Sequence, residues 1–112
     1  MPDGQPWPLV TIVVPALNQG HYLEEAIRSV LLQGYPRIEL IVVDGGSTDD
    51  TLDVIARYEP WLKYWVSEHD RGPASALNKG FAMASGDLFA FLNADDFLLE
   101  GCLATASQAL SE

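Results

Sequence analysis

The chain has one cysteine in its 112 residues, so it can close no intramolecular disulfide and is not a disulfide-stapled secreted fold. A reducing, cytoplasmic setting is the expectation. Cys102, beside Leu103 and Ala104, is expected to pack as a small hydrophobe. No apolar run is long enough to cross a bilayer, and no basic stretch leads into one as in a leader peptide. Basic residues are also scarce. Six Lys and Arg stand against 16 Asp and Glu, a formal charge of -10, which argues against a general nucleic-acid binder, since that would need a basic face. A small anionic ligand is not excluded, because backbone N–H groups, a few cations and a metal can hold one. The two histidines, His21 and His69, form no zinc-ligand pattern with Cys102 and are expected on the surface or in loops. Two glycine signatures are missing as well. There is no G-x-x-x-x-G-K-[ST], and residues 15–20 lack G-x-G-x-x-G, so ATPase and dehydrogenase readings fall away.

What is present has ordinary globular proportions: 48% hydrophobic and 20% charged residues, with seven prolines and nine glycines. Residues 1–112 are expected to form one compact domain, without internal repeat or linker. Residues 9–14, Leu-Val-Thr-Ile-Val-Val, read as a buried strand closed by Pro15. Leu23, Ala26, Ile27, Val30 and Leu31 then recur at helical spacing, and this helix ends near Gly34. A second strand, 38–43, leads into Asp44-Gly45-Gly46-Ser47-Thr48-Asp49, where Ser47, Thr48 and Asp49 are natural caps for the next helix. A third strand is expected over 62–67. A third helix starts at Pro73, in its first turn, and is closed by Gly86. Phe89, Ala90, Phe91 and Leu92 form an aromatic run expected to be a strand buried on both faces, and residues 98–110 a last helix. The alternation predicts a three-layer α/β/α fold with a mostly parallel sheet.

Polar clusters follow each predicted strand: Asn18, then 44–49, then 70–72, then 93–96. In a parallel sheet those tips share one edge, where open α/β folds bind ligands. Asp95 and Asp96 emerge from an apolar run, and a carboxylate there must face water, a cation or a hydrogen-bonding ligand. Their hard oxygens suit Mg2+ or Mn2+, which complete their shells with water and phosphate.

These stretches, in order, resemble the N-terminal half of family 2 nucleotide-sugar glycosyltransferases of the GT-A, Rossmann-like fold. Val10-Thr11-Ile12-Val13-Val14-Pro15-Ala16-Leu17-Asn18 is similar to the family's opening strand and its Pro-x-x-Asn end. Residues 39–49, Ser67-Glu68-His69-Asp70-Arg71-Gly72, Ala76-Leu77-Asn78-Lys79-Gly80 and Asn93-Ala94-Asp95-Asp96 continue the series. The resemblance implies that Asp44 accepts a hydrogen bond from the donor's base and that Pro15, Ala16 and Asn18 line the nucleotide pocket. It places Asp70 and Arg71 beside base or diphosphate, Asn93 and Asp95 at the ribose, and Asp95 and Asp96 on Mn2+ or Mg2+. A carboxylate suits an imide N–H, and the planar fork of Arg71 suits phosphate. At Asp70 and Arg71 the residue types alone are equally consistent with a local ion pair. Asn93 stands where the family often has an acid.

The implied reaction is an inverting, metal-dependent transfer of a sugar from a nucleoside-diphosphate sugar to a hydroxyl of a saccharide or lipid-linked acceptor, at the cytoplasmic face of the membrane in a full-length enzyme. The later acid that such enzymes use as general base has no counterpart before Glu112, so this truncated chain is expected to supply donor binding without turnover. The alternative is a non-catalytic α/β nucleotide-binding or oligomerisation module, dimeric through an exposed sheet edge. A nucleotidyltransferase is disfavoured because the first turn has no basic triphosphate-binding loop.

Overall fold

The computed structural model describes residues 6–69, 72–94 and 101–111. In chain order the elements are β1 (Val10–Ala16), α1 (Gly20–Leu31), β2 (Ile38–Asp44), α2 (Thr51–Tyr58), a single 3-10 turn (Glu59–Trp61), β3 (Tyr64–Ser67), α3 (Pro73–Ala82), β4 (Leu88–Phe91) and α4 (Cys102–Ser111). The four strands form one sheet in the order β3-β2-β1-β4, and every pairing is parallel. Helices cover both faces, as the alternation predicts.

Side chains alternate across the sheet with period two, and each face has its own core. Val10, Ile12, Val14 and Ala16 of β1 and Leu40 and Val42 of β2 join Leu23, Ala26, Ile27 and Val30 of α1, Val54 and Ile55 of α2 and Leu103 of α4. On the other face Val13, Ile41 and Val43 meet Ala76, Leu77 and Phe81 of α3. α3 lies so close to β1 that a Cβ on Gly80 would clash with both methyl groups of Val13.

One polar cluster interrupts the second face. Thr11 and Glu39 are paired across β1 and β2, and the Thr11 hydroxyl donates to Glu39 Oε1 at 2.9 Å. Ser85 adds its amide at 2.8 Å and its hydroxyl at 2.5 Å, and Gly86 N–H donates to Thr11 Oγ1 at 2.9 Å. Glu39 is 5% exposed, yet each of these hydroxyl and amide donors has a partner. Burial pushes its carboxyl up. Donation from Ser85 and Thr11, aided by the Lys63 charge, outweighs that and holds it below the usual carboxylate range.

Several expectations need correction. Pro15 does not close β1 but lies inside it, paired with Val43. Leu92 N–H donates to Val13 O, so the odd residues of β1 turn their backbone groups toward β4, whose pairing stops at Phe91. The donor that proline lacks therefore falls where no ladder bond is needed. Phe89 and Phe91 are not buried on both faces. They are 58% and 56% exposed, because β4 is an edge strand of the sheet, with Phe81 of α3 stacked on Phe89 at a ring-centroid distance of 5.7 Å. β3 begins at Tyr64, not Leu62. α3 stops at Ala82, and Gly86 instead packs against Thr11, where a Cβ would crowd the Thr11 amide at 2.8 Å. Cys102 is exposed rather than packed. α4 starts at Cys102, and the earlier residues 98–100 of that predicted helix lie outside the described residues.

Candidate nucleotide site at the strand tips

All four strands end at one edge of the sheet. β1 has β2 on one flank and β4 on the other, so the strand order reverses there and leaves the crevice in which doubly wound sheets bind ligands. The ladder runs on into the loops: Gly45 N–H donates to Ala16 O at 2.8 Å and Glu68 N–H to Asp44 O at 3.0 Å. Pro15 and Ala16 are buried at the end of β1, and Leu17 and Asn18 turn outward.

Asn18 has φ 50, a left-handed conformation that asparagine tolerates better than most residues. Its backbone N–H donates to Ser47 Oγ at 2.8 Å. In return its side-chain oxygen accepts from Thr48 N–H at 2.7 Å and Asp49 N–H at 3.3 Å. The first loop is thereby clasped to the second.

Asp44, the last residue of β2, is fully buried. Its Oδ2 accepts from Gly46 N–H at 3.1 Å, Ser47 N–H at 2.8 Å and the Ser67 hydroxyl at 2.8 Å, and its Oδ1 accepts from the Ser47 hydroxyl. A carboxylate offers about four lone-pair positions. Three protein donors from the second and third strand tips converge on Oδ2, and one, the Ser47 hydroxyl, is on Oδ1.

Asp49 fastens the two helix starts. Its carboxylate accepts the Thr51 amide at 2.9 Å, the Thr51 hydroxyl and the Gly20 amide at 3.4 Å. The Thr51 bonds outweigh desolvation and hold Asp49 below the usual carboxylate range. Of the three expected caps only Asp49 serves the start of α2. Ser47 and Thr48 are used by Asp44 and Asn18.

The third tip comes close to the second at Gly46. With φ 94 this glycine adopts a conformation that L side chains rarely reach, and a Cβ on it would touch His69 N at 3.5 Å. Beyond it, Glu68 pairs with Lys79 of α3 at 3.1 Å. Asp70 and Arg71 lie outside the described residues. At the fourth tip Asn93 is exposed and Ala94 buried, while Asp95 and Asp96 lie outside the described residues. The structure thus brings Pro15, Ala16, Asn18 and Asp44 into one hydrogen-bonded edge, with Asn93 at the end of the strand on the other flank of β1. Among the described residues no three His, Cys, Asp or Glu side chains gather as a metal site. Asn93 is exposed, and by residue type it and the carboxylates that follow it in sequence carry oxygen donors of the hard kind that suit Mg2+ and Mn2+.

Ser67 and the cluster of Glu39, Thr11 and Ser85 were not singled out in the sequence. The second had a signal: Thr11 is the polar residue of β1, Glu39 is the polar residue of β2 ahead of the terminal Asp44, and strand pairing puts the two opposite each other.

Residues 11–112 match the model of Glycosyl transferase family 2. The chain belongs to that family. An uncharacterized glycosyltransferase of Mycobacterium tuberculosis is 43% identical over 106 residues, covering 93% of this chain and 40% of the relative. Among solved structures, S. aureus TarS 1-349 in complex with UDP-GlcNAc superposes with a TM-score of 0.83 at 27% identity, over 92% of this chain and 31% of that one. A mannosyltransferase from Pyrobaculum calidifontis in complex with GDP-Man and Mn2+ superposes with a TM-score of 0.80 at 32% identity, over 96% and 35%. This family 2 chain therefore spans less than half the length of these relatives. Its sheet is the GT-A-like part they share. Among the described residues no helix is long and apolar enough to cross a membrane.

Proposed function

We propose that this chain holds the nucleoside-diphosphate sugar of an inverting family 2 glycosyltransferase, in the crevice between the tips of β1, β2 and β4. The observation that carries the reading is the convergence of Asn18, Asp44 and Asn93 on one edge of a parallel sheet at its order reversal. Asp44 accepts from the base, Pro15, Ala16 and Asn18 wall the nucleotide, and Asp70 and Arg71 flank base or diphosphate. Asn93 and Asp95 reach the ribose, and Asp95 and Asp96 hold Mn2+ or Mg2+. When bound, the cation offsets the charge of the diphosphate leaving group. The GDP-Man and Mn2+ of the mannosyltransferase and the UDP-GlcNAc of TarS support a donor and cation of these classes here.

In the whole protein a hydroxyl of a saccharide or lipid-linked acceptor attacks the anomeric carbon with inversion, on the cytoplasmic side. That step requires a base to take the hydroxyl proton, and no described acid is assigned to it. Residues 1–112 by themselves are read as binding donor without turnover. Calorimetry with UDP and GDP in the presence of Mn2+ tests the site. Binding that is lost in Asp96→Ala supports it, and no binding, or binding indifferent to that change, overturns it.

A second reading draws on Phe89 and Phe91, exposed on an edge strand: a homodimer formed through β4. Size-exclusion chromatography with light scattering decides it, since a strictly monomeric chain contradicts the dimer.

A further inference from the structure

β4 carries Asn93 to the ligand edge, but its own apolar pattern does not fix how far along β1 it sits. Leu88, Ala90, Leu92 and Ala94 alternate on one side of the run, with Phe89 and Phe91 on the other. A slip of one residue would exchange the two sides, whereas a slip of two leaves each apolar side chain on its own side and is not forbidden by the pattern. Such a slip would move the strand tip by about 7 Å. Among the described residues β4 pairs with β1 alone, from Leu88 to Phe91, so no second neighbour holds the register.

The register is held instead at the opposite end, where the chain leaves α3. Each backbone N–H from Ser85 to Leu88 has an acceptor on β2, on β1 or just ahead of β1. Ser85 donates to Glu39 Oε1 at 2.8 Å, Gly86 to Thr11 Oγ1 at 2.9 Å, and Asp87 and Leu88 to Leu9 O at 2.7 Å and 3.1 Å. Asp87 Oδ2 accepts Leu9 N–H at 2.9 Å in return. The pivot is the buried carboxylate of Glu39, which takes the Thr11 hydroxyl on Oε1 and the Ser85 hydroxyl on Oε2. One side chain of β2 thereby ties β1, through Thr11, to the lead-in of β4, through Ser85. Gly86 leaves that lead-in a single seat, since a Cβ there would lie 2.8 Å from Thr11 N and 2.9 Å from Leu9 O.

We propose that Glu39, with Thr11 and Ser85, sets the register of β4 on β1 and so places Asn93, and the Asp95 and Asp96 that follow it in sequence, for ribose and cation. The inference rests on the donor site proposed above. Glu39 is the second residue of β2 and Asp44 the last, so Glu39 acts from the far end of the strands as a positioning residue, not a catalytic one. β1 and β2 pair over seven residues and do not depend on this anchor. Its loss should therefore harm the β4 side of the site and spare the Asn18 and Asp44 side.

Two measurements on the full chain read that split. In amide hydrogen exchange followed by NMR without ligand, Glu39→Ala and Thr11→Val are compared with wild type at Leu88 and Leu92, whose N–H groups donate to Leu9 O and Val13 O. Exchange there is expected to speed up about tenfold more than at Lys63 and Glu68, whose N–H groups donate to Leu40 O and Asp44 O of β2. In calorimetry, the gain in UDP affinity on adding Mn2+ is expected to fall about tenfold in both variants, the low end of the range for groups standing behind metal ligands, with metal-free UDP binding unchanged. Thr11→Ser keeps the hydroxyl and is expected to match wild type in both. Val54→Ala, a core change under α2 on the other face, lowers stability without touching the anchor and should keep the full Mn2+ gain.

Exchange that rises equally at all four amides overturns the anchor. So does loss of the Mn2+ gain in Val54→Ala, because stability alone would then account for it. A wild-type chain that gains nothing from Mn2+ brings down the proposed cation site and the positioning role with it. A gain present in wild type and kept in Glu39→Ala and Thr11→Val brings down the positioning role alone.

Discussion

β1 and β4 run side by side in register, Val10 against Leu88 and Val13 against Phe91, and both are free of charged residues. All seven residues of β1 are buried, between two strands and under helices on both faces. Among the described residues β4 has one neighbouring strand, and three of its four residues are exposed. Apolar composition therefore identifies a strand without giving its place in the sheet, and place decides both stability and chemistry. The sealed strands β1 and β2 fix the loops that carry Asn18 and Asp44. The open strand brings Asn93 to the same edge while leaving an aromatic flank free.

The contrast can be broken most sharply at its centre. Ile12→Ala, which opens a cavity under α1, is expected to cost about 2–5 kcal/mol in urea denaturation. Gly80→Ala tests the closeness of α3 to β1. The added methyl is expected to destabilise by about 1–3 kcal/mol, despite the better helix propensity of alanine, because Val13 is walled in.

Glu39→Ala leaves the donors of Thr11 and Ser85 without their carboxylate and is expected to cost about 1–3 kcal/mol. Its pH dependence has a definite sign. Because the folded carboxyl sits below its ordinary value, its stabilisation is complete above the unfolded carboxylate range and is lost as pH falls through the folded value. Glu39→Gln should therefore flatten the acid limb of stability measured against pH. Phe89→Ala at the open edge should cost least, about 0.5–1 kcal/mol for its stacking on Phe81. A cost there equal to that of Ile12→Ala would mean that β4 is not an open edge.

The elements themselves were legible because apolar runs, helical spacing and Gly or Pro breaks agreed in residues 9–58. What was not legible depended on order in space. The run around Phe89 has the composition of a central strand, and only the sheet order assigns it to an edge. Pro15 reads as a terminator unless the ladder is known to need no donor there. The site was partly legible for the same reason. The positions of Asn18 and Asp44 after strands were evident, but nothing in their spacing showed that Asn18 spends its side-chain oxygen on the second loop, or that Ser67 reaches Asp44 from the next strand.

The most direct test of the nucleotide site is a backbone-amide NMR titration of the chain with UDP and Mg2+. The account predicts saturable shifts at residues 16–20, 44–49, 67–69 and 93–94, with the amides of Phe81 and Phe89 unmoved. Shifts confined to the open flank of β4, or none at the strand tips at saturating UDP, would contradict it.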